Sequence, residues 1–145
     1  MRGYLRDAQT TDRNLLFLWA NEQMVRKNSF STEKIPYEDH VQWYETILQR
    51  TDCRQYIYEY EGNPVGQIRI VFHGEKAEIN YSICAESRGK GLGKEMLCLM
   101  REKVKSEFPE VKYLIAKVKP ENENSSNAIL GSGFQEKYRV YELTV

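Results

Sequence analysis

The sequence is poor in the residues that build metal centres and disulfide frameworks. Its three cysteines, Cys53, Cys84 and Cys98, lie far apart and match no Cys-x-x-Cys spacing. Its two histidines, His40 and His73, are isolated from one another. This pattern supports no clustered metal site and indicates a reducing compartment, so we expect a cytoplasmic protein without a bound metal.

Two further absences narrow the class of protein. Lys and Arg together number 21, as do Asp and Glu, so the basic excess of a broad nucleic-acid surface is missing. No apolar run approaches the ~20 residues of a membrane span, and the N-terminal segment lacks a signal-peptide core. The 41% hydrophobic and 29% charged residues are typical of a soluble domain. We therefore expect one domain over residues 1–145 that binds neither nucleic acid nor membrane.

Periodicity predicts helices first and strands afterwards. After a strand near residues 4–9, apolar residues at helical spacing predict a helix over 10–23 and another that begins at Pro36. The polar segment 25–35 between them is expected to be a loop. From Gln55 the period changes to two residues, and turns at 62–64 and 73–76 divide three strands of an antiparallel meander.

The second half of the chain predicts a crossover connection. A strand over 77–85, a glycine-rich turn, a helix over 94–108 and a strand over 111–119 follow one another. Two strands joined in this way are parallel, and the connection is right-handed. A short helix over 124–134 and a last strand over 136–145 complete an α+β (mixed α/β) fold, with helices around a mixed sheet.

The glycine-rich turn has the composition of a phosphate-binding loop. Gly89, Gly91 and Gly93 allow a ligand to approach the backbone, and the first N–H groups of the following helix have no internal partners. A Walker loop requires Ser or Thr after the lysine, and a Gly-x-Gly-x-x-Gly loop requires glycine at position 94; Lys94-Glu95 excludes both. The remaining form, Gln/Arg-x-x-Gly-x-Gly/Ala, fits residues 88–93 throughout.

With this loop, the chain resembles the GNAT superfamily of N-acetyltransferases over nearly its whole length. "INYSICAESRGKGLGKEML" is similar to the central strand, loop and helix of that family, and "VKPENENSSNAILGSGF" to the following strand and helix. The resemblance implies a three-layer fold with a mixed sheet of about six to seven strands flanked by about four helices. It also implies acetyl-coenzyme A as co-substrate. The expected contacts to it are the bulged strand end Ile83, Cys84 and Ala85, the loop Arg88, Gly89, Lys90, Gly91, Leu92, Gly93 and Lys94, and Asn122 and Ser125 on the pantetheine arm.

The family's reaction is direct attack of an amine on the thioester carbonyl. A lysine-like amine costs roughly 4 kcal/mol to deprotonate near neutral pH, so the need for a base depends on the acceptor. Glu78 is the candidate base, because some family members carry a glutamate there; the alternative is an ordinary solvent-facing strand residue. Many members also carry a tyrosine that protonates the departing thiolate, where this chain has Ile129. Water could serve instead, or a tyrosine among Tyr81, Tyr138 and Tyr141.

The first two predicted helices resemble the acceptor pockets of family members that act on nucleotide-linked amino sugars. Asn21, Arg26, Ser29 and His40 would offer donors to hydroxyl groups and a diphosphate. A UDP-linked amino sugar is thus the expected acceptor, with an N-terminal peptide of the ribosomal-protein type, a polyamine or an antibiotic as alternatives. A non-catalytic acyl-coenzyme A sensor is the alternative of another class. The last strand can also pair at the edge of a homodimer.

Overall fold

The computed structural model describes residues 3–145 and has one mixed five-stranded sheet with helices on both faces. The strands lie in chain order: β1 (Gly3–Asp7), β2 (Cys53–Tyr60), β3 (Asn63–His73), β4 (Lys76–Ile83) and β5 (Tyr113–Ala116). The first four are antiparallel, and β5 is parallel to β4. This order confirms the predicted meander and crossover, and the predicted α+β class.

Within residues 3–145, five α-helices cover the sheet: α1 (Arg13–Ala20), α2 (Gln23–Asn28), α3 (Tyr37–Gln49), α4 (Leu92–Glu107) and α5 (Glu123–Gly131). Short 3-10 turns precede α1 at Thr10–Asp12 and the glycine loop at Ala85–Ser87. The predicted helix over 10–23 is divided into α1 and the start of α2, and α2 extends to Asn28, inside the segment 25–35 that was expected to be a loop. Glu22 explains why α2 begins at Gln23, because the Glu22 carboxylate accepts the Met24 N–H at 2.7 Å and caps the helix.

The two faces of the sheet have different characters. One face packs against α4 and α5 and forms the main core, in which Tyr58, Ile68, Met96 and Met100 are fully buried. The opposite face packs α1 and α3 on β2 through Leu16, Tyr44 and Ile57. Beyond β2, this second face carries polar side chains instead of an apolar layer, and it forms the floor of the cavity described below.

Two expectations about the sheet are wrong. The predicted last strand is absent from residues 3–145: the segment 136–145 forms no ladder and is exposed throughout, which leaves five strands in place of six or seven. The strand predicted over 111–119 shortens to Tyr113–Ala116, because β4 and β5 diverge after four paired positions. No helix within the described part is long and apolar enough to cross a membrane.

Candidate active site

A cavity of about 890 Å³ lies between the polar face of the sheet and the helices. At one end its wall is the loop 88–94, which we call the glycine loop, together with the first turns of α4 and α5. At the other end, which we call the acceptor half, the wall comes from α1, α2, α3 and the polar side chains of β2, β3 and β4. Two substrates, one at each end, can therefore occupy the same continuous cavity.

The glycine loop presents backbone N–H groups that no group in the described part of the chain uses. Gly89 and Gly91 have φ angles of 78° and 76°, in the left-handed region that favours glycine, and a side chain there would meet open space. Within residues 3–145, the amides of Gly89, Lys90 and Gly91 donate to no backbone or side-chain acceptor. Gly91 caps α4 without a side-chain bond, so the first-turn amides also lack partners. This arrangement fits a diphosphate at the positive end of a 16-residue helix.

The basic residues of the loop have separate tasks. Arg88 turns away from the loop amides: its Nε donates to the Ile83 carbonyl at 3.0 Å and its Nη1 to the Glu22 carboxylate at 2.6 Å. It thereby fastens the loop to the start of α2. Lys94 lies on the cavity wall, whereas Lys90 does not. The predicted role of Arg88 as a diphosphate ligand is therefore weakened, because its charge is already paired.

The cleft between β4 and β5 lies where a pantetheine arm was expected. Pairing of the two strands ends at Ile79 and Ala116, and β4 continues to Ile83, so its last residues have no partner on that side. Asn122 and Ser125 line the cavity here, and the side-chain Oδ1 of Asn122 caps α5 by accepting the Ser125 N–H at 3.2 Å. Asn124 and Asn127 on the same helix line it as well.

The strand end before the glycine loop differs from its expected shape. The register between β3 and β4 is continuous, so β4 has no bulge; the irregularity lies at Tyr58/Glu59 between β2 and β3. Ile83 lines the cavity, but the Cys84 N–H donates to the Val65 carbonyl at 2.8 Å and is thereby used. Ala85 begins a 3-10 turn outside the cavity wall. Of the three predicted main-chain contacts, Ile83 alone faces the cavity.

Tyr81 is the tyrosine that lies in the site. Its hydroxyl is 2.7 Å from the Ser125 Oγ, and it lines the cavity. Burial raises the pKa of this phenol, so it stays protonated at neutral pH and can donate a hydrogen. Tyr138 and Tyr141, the other two candidates, lie on the exposed C-terminal segment. Ile129 is buried in the main core.

The four predicted acceptor contacts are mostly engaged inside the protein. Asn21 lies outside this cavity, and its amide exchanges two hydrogen bonds with the backbone of Ile35. Arg26 donates to the carbonyls of Ala20, Ser31 and Glu33 and to the Ser29 hydroxyl. These bonds fasten the segment between α2 and α3. They leave Asn21 and Arg26 with few donors for a substrate.

His40 and Ser29 line the cavity but are also bonded. The His40 Nε2 lies 2.9 Å from the Arg13 carbonyl oxygen, and the Ser29 hydroxyl donates to the Val25 carbonyl. Burial lowers the pKa of His40, which favours the neutral ring at neutral pH. As with Asn21 and Arg26, their predicted contact with an acceptor remains a prediction.

Glu78 lies on the polar face of β4, but outside the cavity wall. Its Oε1 is 3.4 Å from the Lys117 Nζ, in a partly exposed ion pair. Asn80, two residues nearer the glycine loop on the same face, does line the cavity. The role of Glu78 as a base remains a prediction, and the geometry places it next to the cavity rather than in it.

The floor of the acceptor half was missed by the sequence analysis. Gln55 donates to the Gln67 carbonyl oxygen at 2.8 Å, and Gln67 donates onward to Asn80 at 3.3 Å and Ser82 at 3.2 Å. Arg69 stands beside this network on β3. Polar residues that alternate with isoleucine in "GQIRIVF" signalled a second face, but the pattern alone did not show that this face is covered by helices.

A family model of the acetyltransferase (GNAT) domain matches residues 2–135. The chain belongs to this family. The match confirms the family inferred from the glycine loop and the α5 segment, and with it the acyltransferase class. No curated protein matches the chain.

Solved structures share this GNAT fold at low sequence identity. The aminoglycoside acetyltransferase AAC(6')-Ib, in complex with coenzyme A and kanamycin, is 20% identical with a TM-score of 0.81, covering 93% of this chain and 85% of that one. The spermidine N-acetyltransferase from Vibrio cholerae, in complex with coenzyme A and spermine, is 16% identical with a TM-score of 0.87, covering 99% and 87%. A domain from Methanocaldococcus jannaschii is 20% identical with a TM-score of 0.85, covering 97% and 93%.

Proposed function

We propose that this GNAT domain transfers the acetyl group of acetyl-coenzyme A to a primary amine of a small molecule by direct attack. The observation that carries the proposal is the set of unused amides in the glycine loop, of which those of Gly89 and Gly91 belong to residues that line one end of the cavity of about 890 Å³. A diphosphate at that end leaves the acceptor half free for the amine. The acceptor amine and the acyl donor then meet near the divergence of β4 and β5.

The residues of the chain hold and orient the two substrates. The glycine loop and Lys94 bind the diphosphate, and Asn122 and Ser125 border the pantetheine path. Acetyl-coenzyme A, when bound, supplies the activated acyl group. The residues present support no metal, since no group of three potential metal ligands exists within residues 3–145. Orientation of this kind can supply up to ~7–11 kcal/mol of the barrier.

Tyr81 is the proton donor that we propose for the departing thiolate. Its hydroxyl is held by the Ser125 Oγ at 2.7 Å on the cavity wall. We expect Tyr81→Phe to lower kcat about 100-fold, the lower end of the usual range of a general acid, with little change in coenzyme A affinity. Steady-state kinetics and calorimetry measure the two effects. An unchanged kcat would leave water as the proton source.

For the acceptor, we propose a UDP-linked amino sugar. Within residues 3–145, the cavity wall carries the basic side chains of Arg26, Arg69, Arg88, Lys94 and Lys117 and the acidic side chain of Asp39. Because Arg88 pairs with Glu22 and Lys117 with Glu78, the excess of positive charge comes from Arg26, Arg69 and Lys94. A polycation such as spermine or kanamycin, which the solved relatives bind, would meet like charge here. An acceptor with a diphosphate would meet opposite charge. No residue of the described cavity wall favours the other alternative acceptor, an N-terminal peptide.

The deciding experiment combines calorimetry with a thiol-release assay. We expect coenzyme A to bind at micromolar affinity and acetyl-coenzyme A to release thiol with UDP-linked amino sugars more rapidly than with spermidine, kanamycin or N-terminal peptides. No association with coenzyme A would refute the proposal. Tight binding without turnover across the whole panel would instead establish the non-catalytic sensor, which the buried Ile129 at the usual tyrosine position favours.

A further inference from the structure

Arg69 occupies the centre of the acceptor-half floor. It lies on β3, the middle strand of the sheet, in register with Gln55 on one side and Asn80 on the other. The Arg69 guanidinium carbon is 5.0 Å from the centre of the Trp43 ring on α3. The indole therefore covers one face of the guanidinium, while both residues line the cavity.

Among the described residues, the charge of Arg69 has no counter-ion. Burial lowers the pKa of the guanidinium, and no side-chain or backbone hydrogen bond offsets that effect. Two acidic groups, the Cys53 thiol and the Glu78 carboxylate, act electrostatically on the Arg69 guanidinium. Cys53 is buried, however, and the Glu78 carboxylate is paired with Lys117. Within residues 3–145, the Arg69 side chain forms no ion pair and no hydrogen bond.

The neighbours of Arg69 are themselves satisfied. The side chains of Gln55 and Gln67 bond to one another at 2.8 Å, and the Gln67 amide also donates to Asn80 and Ser82. The carbonyl oxygen of Asn80 is thereby used, so this network has few acceptors left for the arginine. The floor consequently offers an excess of donors and of positive charge to whatever fills the cavity.

We propose that Arg69 is a specificity residue that binds an anionic group, a phosphate or a carboxylate, on the acceptor molecule. A guanidinium always carries its charge and presents a planar fork of donors that matches both groups. Such a bond is stronger where water is excluded, as on this covered floor. The inference rests on the proposed transferase function and deepens it: the acceptor carries an amine at one point and a negative charge at another.

Paired amines test the proposal by turnover. Glucosamine 6-phosphate is compared with glucosamine, and β-alanine with its amide, so the two pairs separate phosphate from carboxylate recognition. We expect kcat/KM to favour the anionic member of at least one pair by roughly 10- to 100-fold, the range of one charge-assisted hydrogen bond. Arg69→Met should abolish that preference, and Arg69→Lys should reduce it. Arg101→Met is the control, because Arg101 is an exposed arginine on α4 outside the cavity wall.

A binding measurement keeps this proposal separate from the transferase function. Trp43 stacks on Arg69, so tryptophan fluorescence reports occupation of the floor. The titration of each amine is made with coenzyme A in excess, so that the glycine loop cannot bind the added phosphate. Binding of an anionic member that Arg69→Met abolishes supports the role of Arg69 even if no amine of the whole panel is acetylated, which is the result that refutes the transferase.

Two results would contradict the role of Arg69 in binding an anionic group. Equal use or binding of the charged and uncharged members by the native protein overturns the proposal. So does an anionic preference that persists in Arg69→Met. Thermal unfolding and coenzyme A affinity of each variant show whether it is folded. If Arg69→Met is unfolded, Arg69→Lys decides: an undiminished preference there also overturns the proposal.

Discussion

Glu78 shows how one residue's place on a strand decides its chemistry. It shares the polar face of β4 with Asn80, yet Asn80 reaches the cavity and Glu78 pairs with Lys117 at 3.4 Å. A base must lie within hydrogen-bond reach of the amine, directly or through one water. The geometry therefore favours an acceptor amine that loses its proton to water.

From this placement we expect Glu78→Gln to lower kcat less than about threefold, because an exposed ion pair contributes little. The pH profile of kcat should keep its shape, measured with the best acceptor of the panel. Lys117→Gln, which removes the partner from the cavity side of the same pair, is the matched control. A large loss of turnover with a flattened pH profile would instead establish Glu78 as the base.

At the residue scale, the sequence predicted which backbone groups face a ligand better than it predicted which side chains do. Gly89 and Gly91 could be predicted because a ligand-facing backbone requires glycine in a fixed spacing. Asn21 and Arg26 could not, because a polar side chain bonds as readily to a nearby carbonyl as to a substrate, and only the fold shows which is nearer. Arg69 was missed for the opposite reason: nothing in the pattern reveals that an arginine lacks a partner.

At the scale of elements, α2 connects the two halves of the site. Its six residues are too few to be stable alone, and the Glu22 carboxylate holds its start. One oxygen of that carboxylate accepts the Met24 N–H and the other accepts the Arg88 Nη1 at 2.6 Å. The cap of α2 and the anchor of the glycine loop are thus the same side chain, which sequence periodicity could not predict.

Glu22→Gln should weaken coenzyme A binding about three- to tenfold, because a neutral amide makes a weaker bond to Arg88 than a carboxylate. The glutamine still offers an oxygen to the Met24 N–H, so α2 should persist. Calorimetry with coenzyme A measures the effect, and Glu38→Gln on exposed α3 surface is the control. Equal affinities for both variants would show that the loop does not depend on this anchor.

The packing of α1 on α3 carries a pH dependence. His40 is buried on α3, stacks on Tyr44 with ring centres 5.9 Å apart and donates to the Arg13 carbonyl of α1. Burial lowers the pKa of His40 below its ordinary 6.5. The unfolded chain therefore binds a proton that the folded chain resists, so the free energy of unfolding falls as the pH drops through about 6.5.

This fall should be at most about 1.4 kcal/mol per pH unit for one histidine, and His40→Gln should remove it. Denaturant unfolding between pH 5 and pH 7.5 measures how steeply the free energy of unfolding changes with pH. The carboxylates with lowered pKa, such as Asp12 and Glu59, lose their contribution to that free energy only below this range. His73→Gln at the exposed end of β3 is the control. A slope that survives His40→Gln would assign the proton to another group.

At the scale of the whole molecule, the order of elements could be predicted and the edge of the sheet could not. Alternation and turn residues specify β2, β3 and β4 because each of these strands packs on neighbours close in the chain. The segment 136–145 alternates equally well, but a strand needs an edge to pair with. Within residues 3–145, β5 pairs with β4 alone and its outer edge is open, while the C-terminal segment lies apart from it.

This C-terminal segment leads us to expect a homodimer in solution. It exposes five apolar or aromatic side chains, among them Tyr141 at 85% and Leu143 at 86%, and a β-prone segment of this kind pairs readily with an open edge. The segment of one copy can add to β5 of the other, and the reverse pairing follows by two-fold symmetry. Light scattering after size exclusion should give twice the mass of the chain at micromolar concentration.

Removal of residues 137–145 should give a monomer that still binds coenzyme A, because the glycine loop makes no use of this segment. Val140→Lys with Leu143→Lys should also give a monomer, since lysine on an edge strand opposes pairing. Arg139→Ala with Glu142→Ala is the matched control and should stay dimeric. A native chain that is monomeric at all concentrations would refute the dimer.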